Sequence, residues 1–210
     1  MTVQPPNTSP ALAIDSRSLN LPNAITLSRF VLSLVLFTLI WADGYWITSA
    51  LVFVIAAATD FLDGYLARKY GQVTVLGRIL DPFVDKIIIC GSFIFLLRWP
   101  DSGVGAWVTF AIVAREMFIT QVRAFMEQRG TDFSARWSGK IKMAVQCVAV
   151  PLCLLSLSRE FINGWSHYLS PTVFLRLRDI TVWGTVAITV YSGVEYSWRA
   201  FLILRRPVAE

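Results

Sequence analysis

The stretch DFLDGYLARKYGQVTVLGRILDPFVDK, residues 60–86, decides how this chain is organised. It places four carboxylates, at Asp60, Asp63, Asp81 and Asp85, in a chain of which 55% of the residues are hydrophobic. If both flanks are helical, the first pair lies three residues apart on one helix face, and the second pair lies four apart on another. Four like charges in a small volume cannot all ionise without counter-charges, so the stretch predicts a cation site.

The type of donor limits the type of cation. Carboxylate oxygens, with no histidine or cysteine in the stretch, favour Mg²⁺ or Mn²⁺ over Zn²⁺. Charges inside apolar spans are costly and are usually functional. The structural alternative is a salt-bridge network, but such a network hardly accounts for four carboxylates at this spacing. Its cations would be Arg68, Lys69, Arg78 and Lys86.

The composition indicates a membrane protein. Only 16% of the 210 residues are charged, against roughly 25% in soluble domains, and the mean hydropathy is +0.58. A net charge of +5 suits loops that face anionic lipid headgroups. Because the basic residues lie between apolar runs and not on one soluble face, we expect no nucleic-acid partner.

Six apolar runs predict an all-α, polytopic membrane fold with about six transmembrane helices. Residues 1–20 are polar and rich in proline and serine, which is typical of a flexible tail, and residues 21–206 form the predicted membrane domain. The runs cover residues 25–41, 45–66, 82–97, 104–125, 141–157 and 180–204.

The distribution of basic residues predicts the orientation. One set of loops and ends is rich in arginine and lysine, and the positive-inside rule places it, with both termini and the aspartates, in the cytoplasm. This set is Arg17, Arg68, Lys69, Arg78, Arg129, Arg136, Lys140, Arg205 and Arg206. The opposite loops contain Arg98, Arg159, Arg176 and Arg178 together with acidic residues.

The spacing D-x2-D-G-x2-A-R-x8-G-x3-D-x3-D is satisfied in full between Asp60 and Asp85. It resembles the signature of the CDP-alcohol phosphotransferases, membrane enzymes that move a phosphatidyl group from a CDP-linked lipid to an alcohol. The resemblance implies that fold, a bacterial-type inner-membrane location and a homodimer. It also implies two metal ions held by Asp60, Asp63, Asp81 and Asp85, with Asp85 accepting the proton of the alcohol as the catalytic base.

Two further segments of the sequence each allow a structural and a functional interpretation. Gly64 permits either close helix packing or the close approach of a flat ligand. The segment LPNAITLSR, which begins at Leu21, either starts a helix or borders a site. The resemblance implies that both contribute to the CDP-lipid site, with Arg68 on the diphosphate. The implied CDP-lipid residues are Asn23, Thr26, Gly64, Ala67, Arg68, Thr74 and Gly77.

Four cations near the acidic site suit an acceptor that itself bears a phosphate. They are Arg115 and Arg123 in the fourth run, and Lys140 and Lys142 at the start of the fifth. The alternative is a basic rim that touches anionic lipid, and Glu116 or Glu195 could neutralise Arg115.

The segments LPNAITLSR, GRILDPFVDK, AREMFITQVR and SGKIKMAVQ resemble the branch of the family that uses glycerol 3-phosphate. We therefore expect transfer of phosphatidyl from CDP-diacylglycerol to sn-glycerol 3-phosphate. We also expect the protein to contact membrane lipids. The same chemistry with phosphatidylglycerol, inositol or inositol phosphate as acceptor is an alternative. A divalent-cation transporter is an alternative of another class, although a cation path has no use for Arg68 at this position.

Overall fold

The structure, a computed structural model, describes most of the chain. It covers residues 21–70, 75–129, 137–168 and 170–205, and describes their side chains except at 21–25, 60–70, 75–79 and 81. The predicted tail, residues 1–20, lies outside the described residues.

The regular structure of the described residues consists of seven α-helices and one 3-10 turn at Pro100–Ser102. The prediction of an all-α fold is confirmed. In chain order the helices are α1 (Leu21–Trp41), α2 (Trp46–Tyr70), α3 (Val75–Leu96), α4 (Ala106–Gln128), α5 (Trp137–Leu157), α6 (Arg159–Trp165) and α7 (Pro171–Leu204).

Each of the six apolar runs lies largely within one of the long helices, and several helices begin before their run. α7 begins at Pro171, well ahead of the run 180–204, and proline suits the first position of a helix because its missing N–H needs no partner there. The sequence pattern does not predict α6. Ser158 caps that short helix by accepting a hydrogen bond from the amide of Phe161 at 3.1 Å.

The helix connections define two ends of the bundle. We call the end where α2 stops and α3 begins the site end, and the opposite one the far end. One cavity of about 550 Å³ at the far end is lined by residues from the α1–α2, α3–α4 and α5–α6 connections, including Asp43, Asp101 and Ser158.

Contacts near both ends fix the relative directions of the helices. α1 and α3 run parallel, because Arg29 contacts Asp85 towards the site end and Ile40 accepts a hydrogen bond from the indole of Trp99 at the far end. α5 and α7 run antiparallel. Arg178 donates to Ser156 Oγ at 3.1 Å near the far end, and Gly139 of α5 lies beside Tyr196 of α7 near the site end.

α1 packs closely against α3 in the middle of the bundle. A Cβ atom at Gly91 would overlap the ring of Phe37, so only glycine allows this approach. The Phe37 ring stacks on Phe95 with 4.8 Å between centroids. Leu36 and Phe93 are fully buried beside this contact and form part of the main apolar core.

The described side chains show polar residues inside and large apolar residues outside. The buried face of α7 includes Arg178, Thr185 and Thr189, whereas Trp183 and Trp198 of the same helix are exposed. Contiguous apolar patches on a protein surface mark contacts with a partner or a membrane. By length and composition, α5 is the one helix among the described residues that could cross a membrane, so the count of six spans remains a prediction.

Candidate active site

The aspartate motif lies on two consecutive helices at the site end. Asp60 and Asp63 belong to the last turns of α2, and Asp81 and Asp85 belong to the first turns of α3. Among these four side chains the structure describes only Asp85. The predictions for Asp60, Asp63 and Asp81, and for Asn23, Gly64, Ala67, Arg68, Thr74 and Gly77, concern side chains or residues outside the described part.

Asp85 forms an ion pair with a buried arginine from the first helix. Arg29 Nη1 donates to Asp85 Oδ1 at 2.9 Å, and the two side chains are 3% and 27% exposed. Thr26, one turn before Arg29, is also buried on this face of α1. The arginine therefore stabilises the ionised carboxylate, while Asp85 keeps an accessible edge.

A small cavity of about 30 Å³ adjoins this ion pair, and four helices line it. Arg29 comes from α1, Ala56 and Ala57 from α2, Asp85 from α3, and Cys147 from α5. The two alanines keep this wall of α2 shallow beside the carboxylate. The cavity is large enough for a water molecule, so Asp85 has room for a small polar partner.

A second charged group joins α4 and α5. Glu116 Oε1 accepts hydrogen bonds from Arg115 Nη1, at 3.0 Å, and from Lys142 Nζ. All three side chains are at most 12% exposed. The buried Lys142 and the mostly covered Arg115 thus share one buried carboxylate, and the group carries a formal net charge of +1.

α7 also contacts this charged group. Arg115 Cζ lies 5.8 Å from the centroid of the Tyr196 ring, within the range of a cation–π contact. Gly193 faces the aliphatic part of Arg115, since a Cβ there would come within 3.4 Å of Arg115 Cγ. α7 therefore approaches Arg115 closely at this position.

The structure separates the four predicted acceptor cations into a buried pair and an exposed pair. Arg115 and Lys142 are held by Glu116, whereas Arg123 and Lys140 are exposed. Arg123 lies 3.5 Å from Glu127 in an exposed pair, which contributes little. Lys140 Nζ lies 5.4 Å from the Trp137 ring centroid and is the more accessible cation at the start of α5.

Sequence reasoning missed two partners in this region. The structural alternative named cations of the motif as partners of the aspartates and did not include Arg29, which pairs with Asp85 from 56 positions earlier. A lone arginine inside an apolar run requires a partner, and that is the signal that could have revealed this pair. Glu116 was expected only as a neighbour of Arg115, and its contact with Lys142 depends on the packing of α4 and α5 against α7.

The described part of the site fits a hard divalent cation by donor type. Asp85 offers carboxylate oxygens, the ligands that Mg²⁺ prefers. The described side chains contain no group of three or more metal-ligating residues, and the other three motif aspartates are not among them. The metal assignment therefore remains a proposal.

Comparisons with known proteins agree on one family. The family model described as CDP-alcohol phosphatidyltransferase matches residues 19–191. The chain is 32% identical over 199 residues to the CDP-diacylglycerol–glycerol-3-phosphate 3-phosphatidyltransferase of Bacillus subtilis, covering 86% of this chain and 96% of the relative.

Two other bacterial relatives give the same result. The enzyme of the same name from Salmonella choleraesuis is 32% identical, and the match covers 78% of this chain and 90% of the relative. A Mycobacterium tuberculosis protein named "Probable phosphatidylglycerophosphate synthase" is 35% identical, with 88% of this chain and 83% of the relative covered.

Proposed function

Because this chain belongs to the CDP-alcohol phosphatidyltransferase family, we propose that it transfers phosphatidyl from CDP-diacylglycerol to sn-glycerol 3-phosphate. The products are phosphatidylglycerophosphate and CMP. The observation that carries this proposal is the match to relatives named for this reaction, which extends over most of both chains. The matched region 19–191 includes the complete aspartate motif.

The motif aspartates are the proposed metal ligands. Ala56 and Ala57 line the same cavity as Asp85, and residues three, four or seven positions further along a helix follow on the same face. Asp60 and Asp63 occupy such positions, which supports their convergence with Asp81 and Asp85. Bound Mg²⁺ or Mn²⁺, in two ions, would stabilise negative charge on the phosphoryl oxygens during transfer.

Asp85 is the proposed base that accepts the proton of the acceptor hydroxyl. A base must be ionised and must be held at a fixed position. The 2.9 Å pair with Arg29 supports both requirements. The deprotonated hydroxyl oxygen would attack the phosphorus on the lipid side, and the bond to CMP would break.

The proposed CDP-lipid site combines the start of α1 with the motif residues that precede Asp85 in the sequence. Thr26 is buried one turn before Arg29, which supports a role for the start of α1. Arg68 would bind the diphosphate, and small residues at positions 64, 67 and 77 would allow the nucleotide to approach the helices. The proposed residues remain Asn23, Thr26, Gly64, Ala67, Arg68, Thr74 and Gly77.

The acceptor phosphate is proposed to bind where α4 and α5 meet. Arg115 and Lys142 share one carboxylate, so the group retains a single positive charge for a phosphate. Lys140, two positions before Lys142, lies on another face of α5, where it lines a cavity with Tyr191 and Glu195. It is proposed as an exposed cation of the same end of the bundle. Arg123 is proposed as the outermost member of this set.

Replacing Lys140 by alanine is expected to raise the KM for glycerol 3-phosphate about tenfold and to change the KM for CDP-diacylglycerol much less. A hydrogen bond to a charged group contributes about 1.5–3 kcal/mol, and exposure of Lys140 favours the lower figure. Steady-state CMP release at varied concentrations of each substrate measures both constants.

Arg98→Ala is the matched control for this test. Arg98 is also exposed and also stacks on a tryptophan, Trp41, at 3.8 Å, but it lies at the far end. Both KM values should stay unchanged in the control. Equal increases for the two substrates in Lys140→Ala would exclude Lys140 from the phosphate pocket.

The proposed setting is the bacterial inner membrane, with the site end towards the cytoplasm. Exposed Trp107, Trp183 and Trp198 support contact with lipid over the bundle surface. Six spans, a membrane domain over residues 21–206 and a homodimer complete the proposal.

A further inference from the structure

A long apolar groove separates α4 from α7 on the outer surface of the bundle. It consists of two adjoining cavities of about 720 and 410 Å³ that share Phe118, Ser197 and Phe201. The larger cavity extends to Arg115 and Gly193, and we call the combined feature the α4/α7 groove. The residues that line it include no aspartate or glutamate.

The groove has the length of one lipid leaflet. Along α7 it runs from Val190 to Leu204, which corresponds to roughly 21 Å at about 1.5 Å per residue. Half of a bilayer of about 40–45 Å, headgroup regions included, is about 20–22 Å. An acyl chain from the leaflet at the site end would therefore fit along the groove without crossing the midplane by much.

Two arginines lie at the end of the groove nearer the site end, which we call its mouth. Arg129 Cζ lies 4.6 Å from the centroid of Phe125, and Arg205 Cζ lies 4.5 Å from the centroid of Phe201. Both rings line the cavity nearer the site end, and both arginines are exposed at the ends of their helices. An apolar groove with two cations at one end is complementary to an anionic lipid.

A second copy of the chain fits this surface less well. Two copies in one membrane have the same orientation, so an isologous contact would bring the arginines of both mouths together. Like charges at close range are unfavourable. The charge at the mouth thus favours a lipid over a partner protein.

We propose that the α4/α7 groove binds an anionic phospholipid, with one acyl chain along Phe118 and Trp198 and the phosphate between Arg129 and Arg205. The phosphate position between Arg129 and Arg205 is separate from the proposed catalytic site, whereas the opposite end of the groove reaches Arg115, a proposed acceptor-phosphate residue. The lipid site goes beyond the proposed function and does not depend on it.

The test measures lipid retained by the purified full-length protein. Dioleoyl phosphatidylglycerol and dioleoyl phosphatidylcholine are titrated separately in detergent, and native mass spectrometry counts the lipids bound per chain. Arg129→Gln/Arg205→Gln should weaken binding of phosphatidylglycerol about 25-fold, because one arginine near an anionic surface is worth about a fivefold change. Phosphatidylcholine retention should change little.

Arg159→Gln/Arg176→Gln is the control with the same net charge. Both arginines are exposed near the far end, and this variant should retain phosphatidylglycerol as the parent protein does. Equal loss in the two double variants would overturn the proposal, because it would reduce the effect to overall charge. No preference of the parent protein for phosphatidylglycerol would overturn it as well.

A groove-filling variant tests the apolar part. Ser197→Phe places a ring where the two cavities join and should weaken retention of both lipids at least fivefold, with an unchanged melting temperature. If Ser197→Phe instead shifts the oligomeric state and leaves lipid retention unchanged, the groove is an interface between copies and the lipid proposal is wrong.

Discussion

Replacing Asp85 by asparagine is expected to lower the rate of CMP release by at least about a hundredfold, because positioned general bases contribute about 10²–10⁴ in rate. The variant keeps the size of the side chain and one acceptor oxygen for Arg29, but it cannot take up the proton of the acceptor. Turnover at saturating substrates gives the rate, and retention of CDP-diacylglycerol by the folded variant shows that the lipid site survives.

A double variant separates this role from a structural one. Arg29 is 2% exposed and needs a counter-charge, so Asp85→Asn alone leaves a buried cation less well paired. Asp85→Asn/Arg29→Gln removes both charges and relieves that cost. The account predicts that the double variant stays as inactive as the single one, and recovery of activity would show that Asp85 serves only to neutralise Arg29.

Replacing Glu116 by glutamine is expected to destabilise the protein by about 3 kcal/mol. Removal of one partner from a buried ion pair costs about 3–5 kcal/mol because the remaining charge is left without compensation. Here Arg115 and Lys142 both lose their shared carboxylate, while the amide oxygen of glutamine keeps one weaker contact. Denaturant unfolding in detergent measures the change.

Glu127→Gln provides the matched control for this change. Glu127 is on the same helix and is 60% exposed in its pair with Arg123, so its loss should alter stability by less than about 0.5 kcal/mol. Equal stabilities of the two variants would contradict the view that Glu116 holds the buried cations. The Lys142→Met/Glu116→Gln variant should regain part of the lost stability, since only Arg115 then lacks a full counter-charge.

The helices were predictable because each long apolar run gives a local signal. The first and last residues of the helices were less predictable. α3 begins at Val75, seven residues before its apolar run, because the helix includes the polar residues of the motif. Asp81 and Pro82 both lie within α3, and Pro82 is an interior residue of that helix. An interior proline removes one backbone hydrogen bond, so a sequence pattern favours a helix boundary there and not the continuous helix that is observed. The short α6 has no apolar period, and its signal is the cap at Ser158.

The site was predictable where its chemistry is local in sequence and not where it depends on packing. The aspartate spacing indicates a cation site without any knowledge of the fold. The pair Arg29–Asp85 and the contact of Glu116 with Lys142 join residues 56 and 26 positions apart. Those contacts arise because α1 packs on α3, and because α4 and α5 both pack on α7.

The acceptor comparison tests the central claim most directly. Purified protein is given CDP-diacylglycerol and Mg²⁺ with glycerol 3-phosphate, inositol, inositol phosphate or phosphatidylglycerol, and CMP release is measured with and without EDTA. The account predicts release with glycerol 3-phosphate alone and its loss when EDTA removes the metal. Release only with another acceptor, or no release with any of them from folded protein, would contradict the proposed reaction.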